Sequence, residues 1–86
     1  MPVRFLSVGD RALVVEFGDA IDRGLGREVL RLDRVLRTAP PAGVVETVPT
    51  FRSLMLHYDP HTTSRADLEQ VITGLLDRDG IGRDIG

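Results

Sequence analysis

The sequence predicts an α+β fold, a two-layer β-β-α-β-β-α sandwich whose four-stranded, mostly antiparallel sheet carries two helices on one face. Three observations predict it. Apolar residues alternate with period two in two pairs of short runs, as half-buried strands require. They recur at steps of three and four in two longer stretches, as amphipathic helices require. The chain of 86 residues makes one small domain with a single modest core, so both helical stripes must share one sheet face.

Each element follows from its own pattern. In the first run, Val3 to Ser7, Val3 and Phe5 alternate with Arg4 and Leu6. In the second, Ala12 to Phe17, the residues Leu13, Val15 and Phe17 share one face and Ala12, Val14 and Glu16 the other. The break at Ser7–Arg11 is longer than a two-residue turn, which predicts a hairpin with a bulge. From Ile21 the period changes: Ile21, Leu25, Val29, Leu32 and Leu36 lie on one helical face. Gly24 and Gly26 weaken its first turns, so the helix frays there or starts one turn later. Pro40 ends it, and Pro40-Pro41-Ala42-Gly43 links it to the next strand.

Val44 to Thr50 and Ser53 to Tyr58 form the second strand pair. Pro49 makes the first of these an edge strand or bulges it. In the other, Leu54, Leu56 and Tyr58 oppose Ser53, Met55 and His57. The last helix is capped by Ser64, with Asp67 three residues on. Leu68, Val71, Ile72, Leu75 and Leu76 form its apolar stripe, and Asp79-Gly80 stops it. Residues 1–79 therefore make the domain. Residues 80–86 show no packing signal and are expected to be a loose tail.

Composition excludes several functions. Apolar residues are 42% and charged residues 28% of the chain, ordinary globular values. No apolar run reaches the roughly 18 residues of a membrane span. No signal peptide is visible, which makes the cytoplasm the default compartment. Cysteine is absent, which removes disulfides, thiol catalysis and thiolate zinc sites. A net charge of −2 gives no electrostatic reason to expect nucleic acid. All 11 basic residues are arginine.

No complete catalytic constellation is present. The dinucleotide, H-E-x-x-H and G-x-S-x-G motifs are missing. Ser53, His57 and Asp59 have the letters of a nucleophilic triad, but Ser53 and His57 lie four residues apart on one strand, about 13 Å, where a nucleophile and its base need about 3 Å. His57 and His61 are candidate ligands, and His57 is expected near Glu16 across the sheet. Arg23, Arg27, Arg31 and Arg34 line one side of the first helix with Asp22, Glu28 and Asp33 interspersed, the pattern of a solvated face with i,i+4 pairs. Asp10-Arg11 and Arg52 sit in the two hairpin turns, and either arginine can grip a carboxylate bidentately.

Two separated stretches carry a family resemblance. Gly9-Asp10-Arg11-Ala12-Leu13-Val14-Val15-Glu16-Phe17-Gly18 and the run from Val44 to Pro60, which contains Glu46, Pro49, Arg52, Ser53, Met55 and His57, resemble the N-terminal domain of the KipI family. Its members are also called allophanate hydrolase subunit 1, carboxyltransferase subdomain C or the B-type 5-oxoprolinase subunit. The resemblance runs from Phe5 to about Arg78 and implies the same β-β-α-β-β-α fold. It implies a second, cyclophilin-like domain in the full family protein, which these 86 residues do not contain.

The resemblance also implies company. A KipA-like subunit and an A-type 5-oxoprolinase subunit complete an ATP-dependent 5-oxoprolinase or allophanate-hydrolase-type complex. Fused relatives form the carboxyltransferase part of urea amidolyase. The alternative partner is a sensor histidine kinase, which one member inhibits. A small interaction module of unknown partner is the third reading. The chain has no lysine to carry biotin, and no cofactor is expected in this domain. No catalytic residue is assigned, and the isolated domain is expected to be inactive. The candidate partner surface is Asp10, Arg11, Glu16, Glu46, Arg52, Ser53, Met55 and His57, on the sheet face the helices leave uncovered and at the hairpin ends. A solvated face without a partner is the plain alternative.

Overall fold

The computed structural model describes residues 3–18 and 23–82. Strands β1 (Arg4–Val8), β2 (Ala12–Glu16), β3 (Val44–Pro49) and β4 (Ser53–Tyr58) alternate with helices α1 (Arg23–Thr38) and α2 (Arg65–Asp79) in the expected order. The sheet runs β1-β2-β4-β3 and every neighbouring pair is antiparallel. Ile21, expected in the first helix, lies outside the described residues.

One face of the sheet is buried as its period-two pattern requires. Leu13, Val15, Phe17, Leu54 and Leu56 are fully buried and Tyr58 nearly so. Leu25, Val29, Leu32 and Leu36 of α1 and Leu68, Ile72 and Leu76 of α2 close the core over them. Each such leucine, fully withdrawn from water, contributes about 1.5–3 kcal/mol. In α2 the buried set is narrower than the sequence stripe: Leu75 packs at its margin and Val71 is exposed. Ser64 caps α2 by accepting the Asp67 N–H at 3.1 Å, and Gly80 ends it in the left-handed conformation.

Polar clamps fix the helices on the sheet. The Thr47 hydroxyl donates to Asp33 Oδ1 at 2.6 Å, tying α1 to β3. Arg65, at the start of α2, donates to the Phe5 carbonyl at 3.2 Å and to the Ser7 hydroxyl, tying α2 to β1. Glu28 and Asp33 are both buried, so two acids expected on a solvated helix face are instead internal joints.

Two local expectations are corrected, and one of two alternatives for β3 is met. The first hairpin has a three-residue loop, 9–11, and an unbroken register from Val8↔Ala12 to Arg4↔Glu16, with no bulge. Strand β3 is an edge strand, as Pro49 requires, but its irregularity lies at the other end, where Val45 is extruded between Val44 and Glu46. Residues 80–82 are not loose: Ile81 is 2% exposed and belongs to the core, and the Gly82 N–H donates to Glu28 Oε1 at 2.7 Å.

Candidate functional site

The sheet face away from the helices is the candidate site, and strand register builds it row by row. Directly opposed residues of antiparallel strands point to the same side. The middle row is Leu6, Val14, Met55 and Val48, one residue from each strand in sheet order. It crosses the whole sheet as an apolar stripe. Leu6 and Val48 are 38% and 40% exposed, and Val14 and Met55 are half-buried between them.

The two flanking rows are polar at different places. One is Val8, Ala12, His57 and Glu46. Its Ala12 is buried, a small side chain between the larger Val8 and His57. The other row is Arg4, Glu16 and Ser53. Arg4 donates to Glu16 from Nε at 3.1 Å and again from Nη2. The expectation that His57 approaches Glu16 is therefore corrected. Glu16 faces Ser53, and the cross-strand neighbours of His57 are Ala12 and Glu46.

The hairpin ends do not form one patch. The Arg11 carbonyl accepts the Tyr58 N–H at 2.9 Å, at the C-terminal end of β4. The Arg52 carbonyl accepts the Phe17 N–H at 2.7 Å, at the opposite end. Asp10 and Arg11 are thus separated from Arg52 and Ser53 by about 20 Å of strand. The eight predicted residues divide accordingly. Asp10, Arg11, Glu46 and His57 lie toward one end, Glu16, Arg52 and Ser53 toward the other, and Met55 between them.

Each end is organised by its own turn. Thr50 holds the second hairpin: its N–H donates to the Ser53 carbonyl at 2.8 Å, and its hydroxyl accepts the Ser53 N–H at 3.1 Å and lies 2.8 Å from Ser53 Oγ. The Ser53 hydroxyl is a turn group. With His57 four residues away along β4, the two cannot meet as nucleophile and base. Phe51, at the tip of this turn, is 74% exposed. At the other end Asp59 accepts the His61 N–H at 2.9 Å and the Thr62 hydroxyl at 3.2 Å. The His61 N–H, helped by the Thr62 hydroxyl and the nearby His61 and Arg11 charges, holds the Asp59 carboxyl below its ordinary range.

Among the described residues no group of three or more histidines and carboxylates is placed to hold a metal ion. A shallow groove of about 330 Å³ lies between Pro40 and the extruded Val45, but its Arg37 is already paired with Asp33 at 3.0 Å. The arrangement can offer another protein an apolar stripe with polar ends. Sequence reasoning missed Leu6 and Val48 as members of that stripe. Leu6 was legible from period two in β1. Val48 was not, because the extra residue Val45 reverses the parity of β3.

Comparisons with known proteins agree with this architecture. No curated protein matches the chain. A conserved uncharacterized protein from Pyrococcus horikoshii is 29% identical, with a TM-score of 0.79 over 87% of this chain and 35% of its own. The chain thus spans about a third of that relative. The Kluyveromyces lactis urea carboxylase shares the fold at 21% identity and a TM-score of 0.77, over 98% of this chain and 7% of its own. The N-terminal domain of the histidine kinase inhibitor KipI from Bacillus subtilis shares it at 21% identity and a TM-score of 0.72, over 100% of this chain and 97% of its own. No helix among the described residues is long and apolar enough to cross a membrane. The family described as carboxyltransferase domain, subdomain C and D, matches residues 3–83, and with nearly its whole length in that match the chain belongs to this family.

Proposed function

We propose that the chain is a non-catalytic docking domain of a carboxyltransferase-type assembly, and that its uncovered sheet face is the docking surface. The observation that carries this reading is the apolar row Leu6, Val14, Met55 and Val48 on the side neither helix covers. Family membership supplies the context. The partner in this reading is a KipA-like subunit of an ATP-dependent 5-oxoprolinase or allophanate-hydrolase-type complex, completed by an A-type 5-oxoprolinase subunit. Four strands about 4.8 Å apart and five residues long present about 300 Å². Stable complexes bury roughly 800 Å² a side, so the footprint takes in a hairpin end as well as the face.

A second reading, a domain that binds a sensor histidine kinase, is favoured by the near-complete mutual coverage with the KipI N-terminal domain. One experiment separates the two. The tagged chain is co-expressed in turn with a KipA-like subunit, with that subunit plus an A-type subunit, and with a sensor histidine kinase, then captured and washed. Retention of the KipA-like subunit is the expected result. Retention of the kinase alone replaces the first reading with the second, and retention of neither removes both.

A further inference from the structure

The segment that follows α2 is held in the core by a buried carboxylate from the other helix. Ile81 lies past the helix end yet is 2% exposed. Its N–H donates to the Leu76 carbonyl at 2.9 Å, continuing the cap of α2. Gly82 has φ +83°, and a Cβ there would stand 3.2 Å from Val3 Cγ2. A left-handed backbone at close approach to Val3 and Phe17 requires glycine. The Gly82 N–H finds its acceptor in Glu28 of α1, at 2.7 Å. Arg31, one turn on, donates to both Glu28 oxygens at 3.0 and 2.9 Å and, through its other terminal nitrogen, to the Asp79 carbonyl at 2.7 Å. One carboxylate and one guanidinium thus join α1, the end of α2 and the residues after it.

We propose that Glu28 is a latch: its carboxylate keeps residues 80–82 in the core, and its neutralisation or loss releases that segment while the sheet and both helices stay folded. The segment is short, and its polar anchors to α1 run through this one side chain and its arginine. Released, Ile81 leaves the space it fills and the path of the chain after Asp79 is free. The latch therefore sets the direction in which the chain leaves α2.

The charges around Glu28 fix the sign of its pH response. On α1, Arg31 pairs with it and the Arg27 charge acts on it from the adjacent position. From α2, Asp79 contributes its carbonyl to Arg31 while its carboxylate pairs with Arg78 at 3.0 Å. Val3 and Phe17 bring no charge. Burial alone would push the Glu28 carboxyl up, but the Gly82 N–H, then the Arg31 hydrogen bond and charge, and Arg27, together hold it below its ordinary value of 4.5. The latch is therefore closed above that value and opens as pH falls through the lowered one. A cavity of about 360 Å³ lined by Arg31, Arg34, Val35, Asp79 and Ile81 gives solvent access beside it.

Amide hydrogen exchange of the whole ¹⁵N-labelled chain, followed by NMR at neutral pH, tests the latch. In Glu28→Ala the Ile81 and Gly82 amides are expected to exchange at least ten-fold faster than in the wild type, while those of Leu13 and Leu56 keep their protection. Glu28→Gln, whose amide oxygen still accepts the Gly82 N–H but cannot neutralise Arg31, is expected to fall between. Unchanged protection of Ile81 and Gly82 in Glu28→Ala overturns the proposal. A uniform loss across sheet and segment also overturns it, because the segment is then no separable unit. If Glu28→Ala does not fold, an acid titration of the unmutated chain decides. The Ile81 and Gly82 signals must move before the sheet signals do, and movement only at global unfolding overturns the latch.

Discussion

Met55 stands directly opposite Val14 across the β2–β4 ladder and opposite Val48 across the β3–β4 ladder, at the centre of the sheet side that neither helix covers. A flexible apolar side chain at that place suits a surface that must fit another one. Its two strand neighbours of the same face, Ser53 and His57, belong to different polar ends. The face is therefore apolar across the strands and polar along them.

The isolated chain should be chemically inert. Purified alone, it is expected to give no ATP hydrolysis and no opening of 5-oxoproline. The Ser53 hydroxyl is engaged with Thr50 and stands about 13 Å along the strand from His57, far beyond the reach of a base. Turnover by the chain alone, in a coupled phosphate-release assay and by product chromatography, would contradict this.

Leu56→Asp should abolish cooperative folding. Leu56 is fully buried beneath the helices, and an unpaired carboxylate there costs several kcal/mol, comparable with the stability of so small a domain. A thermal melt followed by far-ultraviolet circular dichroism checks it. A native-like transition would mean that the strand faces are assigned the wrong way round.

Thr47→Val should cost about 1–2 kcal/mol, because it removes a donor from the buried Asp33 while keeping the side chain's shape. Asp33 retains Arg37, which keeps the loss below that of an abandoned charge. Urea unfolding reads the change directly, through a lower midpoint at unchanged slope.

The Glu28 carboxyl is held below its ordinary value of 4.5, so the native state binds fewer protons there than the unfolded chain does. Its contribution to stability is present above the unfolded value and is lost as pH falls through the folded one. The stability gap between the wild type and Glu28→Gln should accordingly be widest near neutrality and narrow on acidification. Urea midpoints of both proteins between pH 7 and pH 3 measure it, and a constant gap would contradict the assignment.

Most of the architecture was legible because each strand and helix carries its own period. Leu13, Val15 and Phe17 alternate without interruption, and Leu25, Val29, Leu32 and Leu36 keep helical spacing, so their burial could be read directly. Three features were hidden for physical reasons. Val45 is an extra residue in β3, and a single insertion reverses which side chains face the core, so Val48 could not be placed with Met55. Ile81 is a lone apolar residue after a helix stop, with no period to announce its burial. Glu28 and Asp33 look like surface acids because Arg31 and Arg37, on the same helix, supply ordinary local pairs, while the partners that make them internal joints, Gly82 and Thr47, come from remote segments. Of the candidate site, the uncovered face was legible. The separation of the two hairpin ends was not, since it depends on β2 and β4 pairing antiparallel.

Arg31 cannot serve as a neutral control for any docking experiment, because it binds Glu28 and the end of α2. Arg34, exposed on the same helix, takes that place. Arg52→Glu at the hairpin end should weaken partner binding if that end belongs to the footprint, since disrupting a paired interfacial arginine costs roughly 2–5 kcal/mol and changing a solvated one costs little.

The most direct test is the affinity of a KipA-like subunit for three folded proteins: wild type, Met55→Asp and Arg34→Glu, measured by titration calorimetry with size-exclusion chromatography of the mixtures. Met55→Asp should weaken binding at least ten-fold, equivalent to about 1.4 kcal/mol, and Arg34→Glu should bind as the wild type does. Equal binding by wild type and Met55→Asp, or a loss confined to Arg34→Glu, would place the docking surface elsewhere and contradict the account.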